Sequence, residues 1–93
     1  MFNVNEYFDG KVKSLGFENK KGAVTIGVMA AGEYEFGTST TEYMTVTSGK
    51  MTILLPGETV WKTFNEYETF IVKKDTKFKV KVDESTSYKC VYK

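Results

Sequence analysis

Gly32-Glu33-Tyr34-Glu35-Phe36-Gly37-Thr38, followed from residue 42 by Glu42-Tyr43-Met44-Thr45-Val46-Thr47-Ser48-Gly49, decides how this chain folds. Both runs alternate with a period of two. Tyr34, Phe36 and Thr38 fall on one face, and Glu33 and Glu35 on the other. Met44 and Val46 share a face in the second run. Side chains alternate in this way along a half-buried strand and not along a helix.

The same pattern extends in both directions. Upstream, Lys11 to Leu15 reads as a strand ended by Gly16, and Gly22 to Met29 as another, with Val24, Ile26 and Val28 on one face. Downstream, Ser48-Gly49-Lys50 is a tight-turn signal leading into Met51 to Leu55, which Pro56-Gly57 ends. Val60 to Phe64 and Thr69 to Val72 are short runs separated by a polar turn. Lys77 to Val82 points Phe78, Val80 and Val82 inward and three lysines outward. Thr86 to Tyr92 places Tyr88, Cys90 and Tyr92 together. About nine short strands at this spacing predict an all-β sandwich or barrel filling residues 1–93 as one domain. No stretch keeps helical periodicity over three turns.

Composition narrows the chemistry. Aromatic residues reach 15%, which favours strands. The net charge of +1 supplies no field to hold nucleic acid or an anionic membrane. All 13 cationic residues are Lys, and there is no His. Serine-type triads and imidazole acid–base catalysis are therefore excluded, and a transition-metal site is not expected. The one Cys cannot form an internal disulfide, and the Met1 to Gly10 stretch carries Glu6 and Asp9 instead of an apolar signal core. A soluble, cytoplasmic protein is the expectation. The inward positions that are not plainly apolar, and so could line a pocket, are Tyr34, Phe36, Thr38, Glu42, Tyr88, Cys90 and Tyr92.

The opening stretch also resembles the first cupin motif, in which a Gly precedes His-x-His, a Glu follows three or four residues later, and another Gly comes after six intervening residues. Glu42 and Gly49 keep the final spacing, whereas Phe36 and Thr38 stand where the metal-binding histidines would be. A closer resemblance covers nearly the whole chain. Asn5-Glu6-Tyr7-Phe8, Gly10-Lys11-Val12-Lys13-Ser14, Gly27-Val28-Met29, Gly32-Glu33-Tyr34, Glu42 with Met44-Thr45-Val46, Leu54-Leu55-Pro56 and Thr86-Ser87-Tyr88 with Cys90 and Tyr92 are similar to the pyrimidine/purine nucleoside phosphorylase family. This resemblance implies a cupin-type, jelly-roll β-barrel without metal or other cofactor, and a homodimer. It implies phosphorolysis of purine and pyrimidine nucleosides to free base and ribose 1-phosphate, with inorganic phosphate as co-substrate. The Val72 to Lys77 stretch is more basic here than is usual in the family.

Phosphorolysis requires a held phosphate, a gripped ribose and a positioned base. Glu42 is the candidate catalytic residue, its carboxylate accepting ribose hydroxyls and favouring positive charge at the sugar. Tyr34, Phe36, Tyr88 and Tyr92 are candidates for a stacking wall, with Thr38 beside them as a further substrate-binding residue. Core packing is the plainer role for each aromatic. Without Arg, phosphate falls to Lys or hydroxyls. Lys73 and Lys77 are the candidates by local density, and a solvated charged turn is their alternative. A non-catalytic cupin module that binds a nucleoside, nucleotide or sugar is the competing reading of the whole.

Overall fold

The computed structural model describes every residue from Met1 to Lys93. Its strands are β1 (Asn3–Tyr7), β2 (Val12–Asn19), β3 (Gly22–Met29), β4 (Gly32–Gly37), β5 (Glu42–Ser48), β6 (Met51–Leu54), β7 (Lys62–Phe64), β8 (Thr69–Val72), β9 (Lys77–Val82) and β10 (Thr86–Tyr92). They form a six-stranded sheet in the order β1-β2-β3-β10-β5-β8 and a four-stranded sheet in the order β4-β9-β6-β7. Every pairing is antiparallel.

The all-β expectation holds, and two of its details are corrected. No hydrogen-bonded ladder joins the two sheets, so the architecture is two facing sheets and not a closed barrel. The edge strands β7 and β8 are only three and four residues long, and short edges resist further pairing. There are also ten strands where about nine are expected. The additional one is β1, which the alternation rule misses because its polarity is inverted. Asn3 and Asn5 pair with Gly16 and Ser14 on the inner face, while Val4 points outward and is 71% exposed.

Fourteen buried side chains fill the space between the sheets. Met29, Met51, Ile53, Val46 and Val80 are fully buried, and each such burial stabilises by about 1.5–3 kcal/mol. Strand β9 follows its pattern, with Phe78, Val80 and Val82 inside and Lys77, Lys79 and Lys81 exposed. Strand β3 turns the other way. Its apolar set has Ile26 and Val28 on the outer surface, and Thr25, Gly27 and Met29 face the interior. The reason is register: Gly27 pairs with Ser14 on one side and Tyr88 on the other, which commits that row to the inside.

Candidate active site

A cavity of about 280 Å³ opens at one end of the interior. That is just under the roughly 300–1,000 Å³ of typical small-molecule sites. The β4 side of its wall is Glu35, Phe36 and Gly37. Ser14 of β2, Glu42 of β5, and Tyr88 and Tyr92 of β10 face them from the six-stranded sheet. Tyr7 and Phe8 close the rim from the β1–β2 turn. This turn is held in the left-handed region by Phe8 (φ 54°), Asp9 (φ 57°) and Gly10 (φ 84°), and Lys11 N–H donates to the Phe8 carbonyl at 3.2 Å. Left-handed backbone at a bulky non-glycine residue is rare and is retained where surrounding contacts demand it. Here the Phe8 ring meets Phe36 edge-on at 5.6 Å and Tyr34 at 5.0 Å, and Tyr7 meets Phe36 at 6.4 Å.

Glu42 is the only acid of the cavity drawn from the six-stranded sheet. Strand register sets it opposite Tyr92 on one side and Val72 on the other. Burial raises its carboxyl above the ordinary carboxylate value, and the Cys90 thiol, which donates to Oε1 at 3.6 Å, offsets part of that rise. Cys90 is 1% exposed, and burial, then the Glu42 charge, push its own pKa well up, so it remains a thiol and not a nucleophile. Burial likewise raises Tyr92, whose hydroxyl shares a hydrogen bond with Thr25 Oγ1 at 3.0 Å. Tyr88 is pushed up to about 12, chiefly by burial, with Ser14 drawing it back in part. Both phenols are therefore neutral donors at ordinary pH. A carboxyl flanked by phenols suits a polyhydroxylated, polar ligand, and the half-open rings of Phe36, Phe8 and Tyr7 suit a flat one.

Four of the residues singled out from sequence, Phe36, Glu42, Tyr88 and Tyr92, share this cavity. Five do not line it, and of these Cys90 is buried beneath Glu42, to which its thiol donates. Tyr34 lies behind Phe36 with 5% exposure, and its hydroxyl donates to the Ala30 carbonyl at 2.7 Å. Thr38 Oγ1 donates to the Lys73 carbonyl at 2.6 Å and accepts from Thr76 N–H at 3.1 Å, tying the end of β4 to the turn before β9. Lys73 and Lys77 are exposed, and Lys77 pairs in register with the lining residue Gly37. Sequence reasoning missed Tyr7, Phe8, Ser14, Glu35 and Gly37. Ser14 was within reach, because it alternates with Val12; Asp9-Gly10 signals a hairpin turn but not the direction of Phe8. A wider groove of about 920 Å³ along Met1–Asn5 ends at Tyr92, and Glu18 and Tyr92 are the ionisable side chains that line it. No three acidic or thiol side chains converge as a metal site would need.

Residues 2–92 match the family described as pyrimidine/purine nucleoside phosphorylase. The chain belongs to that family. A Pseudomonas putida protein named pyrimidine/purine nucleoside phosphorylase is 55% identical over 93 residues, spanning 100% of this chain and 99% of its own. Among solved structures, a Vibrio parahaemolyticus protein of unknown function superposes with a TM-score of 0.94 at 42% identity, covering 100% of this chain and 99% of that one. The Drosophila melanogaster CENP-C cupin domain superposes at 0.74 with 13% identity, covering 99% and 75%, a likeness of fold alone. Within the phosphorylase family, then, this member keeps a cupin-like pair of sheets with a carboxyl and two phenols at one end.

Proposed function

We propose that the chain is a nucleoside phosphorylase, a pentosyl-transferring enzyme that accepts both purine and pyrimidine nucleosides. The match to the family over residues 2–92 carries this reading. Phosphate oxygen forms a bond to the anomeric carbon as the carbon–nitrogen bond breaks; the base leaves with the bonding pair and takes up a proton. Ionised Glu42 accepts ribose hydroxyls and stabilises positive charge on the sugar ring. The neutral Tyr88 and Tyr92 phenols donate to the ligand, and Phe36 stacks on the base without reading its edge, which suits a broad substrate range. Tyr34 and Thr38 act from behind this surface, holding Phe36 and the end of β4. No metal enters the scheme, since the chain has no His and no convergent ligand set.

Phosphate is the demanding part. The cavity is lined by Glu35 and Glu42 and by no cation. Lys77, opposite Gly37 at the rim, is the first candidate for phosphate, and Lys73 at the preceding turn the second. That missing cation favours a second reading, a module that binds a nucleoside or sugar without turnover. Uridine incubated with and without phosphate separates the two. Uracil formed only with phosphate establishes the enzyme; saturable uridine binding with no uracil from any nucleoside establishes the module.

Association through the outer face of the six-stranded sheet accompanies the proposal. Leu15, Ile26 and Val28 on the adjacent strands β2 and β3 are 47%, 42% and 53% exposed there, with Ile71 on the edge strand β8 at 52%, and apolar side chains exposed in this way mark an interaction surface. A second copy of the chain meets it in a two-fold homodimer, burying both faces at once.

A further inference from the structure

Gly27 is a glycine in mid-strand with no conformational reason to be one. Its φ is not in the left-handed region, where four non-glycine residues and five other glycines of this chain lie. The reason is space. A Cβ at residue 27 would sit 2.3 Å from Tyr88 Cζ, 2.4 Å from its hydroxyl oxygen and 2.6 Å from Cε1. The tip of the Tyr88 ring therefore lies across β3, over a position in mid-strand without a side chain. Register shows the path. Tyr88, Gly27, Ser14 and Asn5 form a row across β10, β3, β2 and β1, and Asn5 Nδ2 donates to Ser14 Oγ at 3.2 Å at the far end. The pairing of β10 with β5 shifts register between Ser87 and Tyr88, an irregularity that re-aims the side chain at that point.

We propose that Gly27 is a positioning residue that sets the depth of the cavity by letting Tyr88 recline, and thereby sets which nucleosides fit. Tyr88 is 7% exposed and lines the cavity. Any side chain at 27 lifts its ring off the floor, and the open side is the cavity of about 280 Å³. A ring lifted by an ångström or more removes room that a two-ring base needs before a one-ring base does. Gly27 is thus the residue through which the sheet admits purine as well as pyrimidine nucleosides. This inference rests on the proposed nucleoside substrates, but its readout is binding and not turnover.

The test measures dissociation constants of inosine and uridine by calorimetry for wild type, Gly27→Ala and Tyr88→Leu, with circular dichroism to confirm folding. Gly27→Ala is expected to weaken inosine relative to uridine by about tenfold, the scale at which one methylene discriminates in a filled pocket. Tyr88→Leu, which removes the ring and deepens the floor, is expected to shift the ratio towards inosine. An unchanged ratio in folded Gly27→Ala overturns the inference. Should Gly27→Ala not fold, an unchanged ratio in Tyr88→Leu overturns it equally. Wild type that binds both nucleosides and converts neither defeats the phosphorylase reading and leaves the depth inference to the two ratios. Wild type that binds neither defeats both.

Discussion

The two sheets face one interior and bring opposite chemistry to it. The four-stranded sheet obeys the simple rule on both sides: Tyr34, Phe36, Met51, Ile53, Phe78, Val80 and Val82 are directed inward, and outside Glu33 and Glu35 pair across the strands with Lys81 and Lys79. The six-stranded sheet breaks the rule twice. Its inner face carries Asn5, Ser14, Thr25, Glu42, Tyr88, Cys90 and Tyr92 among its apolar residues, and its outer face exposes Leu15, Ile26, Val28 and Ile71. Polar groups inside and apolar groups outside both lower the stability of an isolated chain. Such departures concentrate where function is kept. The four-stranded sheet thus contributes packing alone on its inner face apart from the Phe36 side of the cavity, whereas the six-stranded sheet supplies eight of the fourteen core residues and also the polar side of the cavity and an exposed apolar outer face.

The strongest way to break that contrast is to remove packing from the regular sheet. Ile53 is fully buried between Lys62 and Val80 on β6. Ile53→Ala is expected to lower the unfolding free energy by about 2–5 kcal/mol, measured by denaturant titration. For a chain of 93 residues that is a large share of the total. Ser14→Ala on the other sheet removes the partly buried hydrogen bond from Asn5 together with Ser14's interaction with Tyr88, and is expected to lower it by only about 1–2 kcal/mol. Equal losses would mean that the division of labour between the sheets is wrong.

Next comes Glu42→Gln, which reverses the pattern: a large effect on rate and none on packing. Loss of the charge is expected to reduce kcat by about a hundredfold or more. Stability moves the other way. Burial raises the folded Glu42 pKa, so the folded chain holds a proton that the unfolded chain has already released. Stability from this group is therefore lost as pH rises from the ordinary carboxylate value of 4.5 through the raised one. Glu42→Gln removes that loss, and its melting temperature at neutral pH is expected to equal or exceed wild type. A melting temperature well below wild type would make Glu42 a structural residue.

The same contrast explains what was legible in the sequence. Alternation locates β9 and β10 to the residue and assigns Phe78, Val80 and Val82 to the interior, because there the polarity rule holds on both faces. It places Glu42, Tyr88 and Tyr92 on one surface, because register follows parity. It fails at β1, where Asn3 and Asn5 face inward, and at β3, where Ile26 and Val28 are exposed on the outer surface. Phe8 was hidden for a different reason, since a left-handed backbone at phenylalanine has no local signature. Thr38 and Tyr34 were read as ligand groups because alternation reports the face of a side chain and not what its hydroxyl already bonds.

The outer face gives a smaller effect. Ile26 sits among Leu15, Phe17 and Phe2 in a groove without polar lining. Ile26→Lys sets a charge in that apolar surface without touching the cavity. If this face forms the proposed homodimer, sedimentation is expected to show it weakened by about tenfold or more. Wild type that sediments as a monomer at all concentrations would leave this face as an unexplained departure from the rule.

The smallest effect concerns the charged exterior of the regular sheet. Lys77, Lys79 and Lys81 are chemically alike, and Lys81 is already engaged, 3.9 Å from Glu33 and over the Trp61 ring. Lys79 stands opposite Glu35. Lys77 alone stands opposite a residue of the cavity rim with no side chain, Gly37. An exposed ammonium acting as a point charge contributes at most about 1 kcal/mol, so Lys77→Ala is expected to raise the KM for phosphate by up to about fivefold and leave the KM for nucleoside in place. Lys79→Ala, one turn of alternation further from the rim, is expected to change neither. Equal effects from the two would assign the exterior lysines to general charge and move the phosphate to backbone N–H groups at the rim.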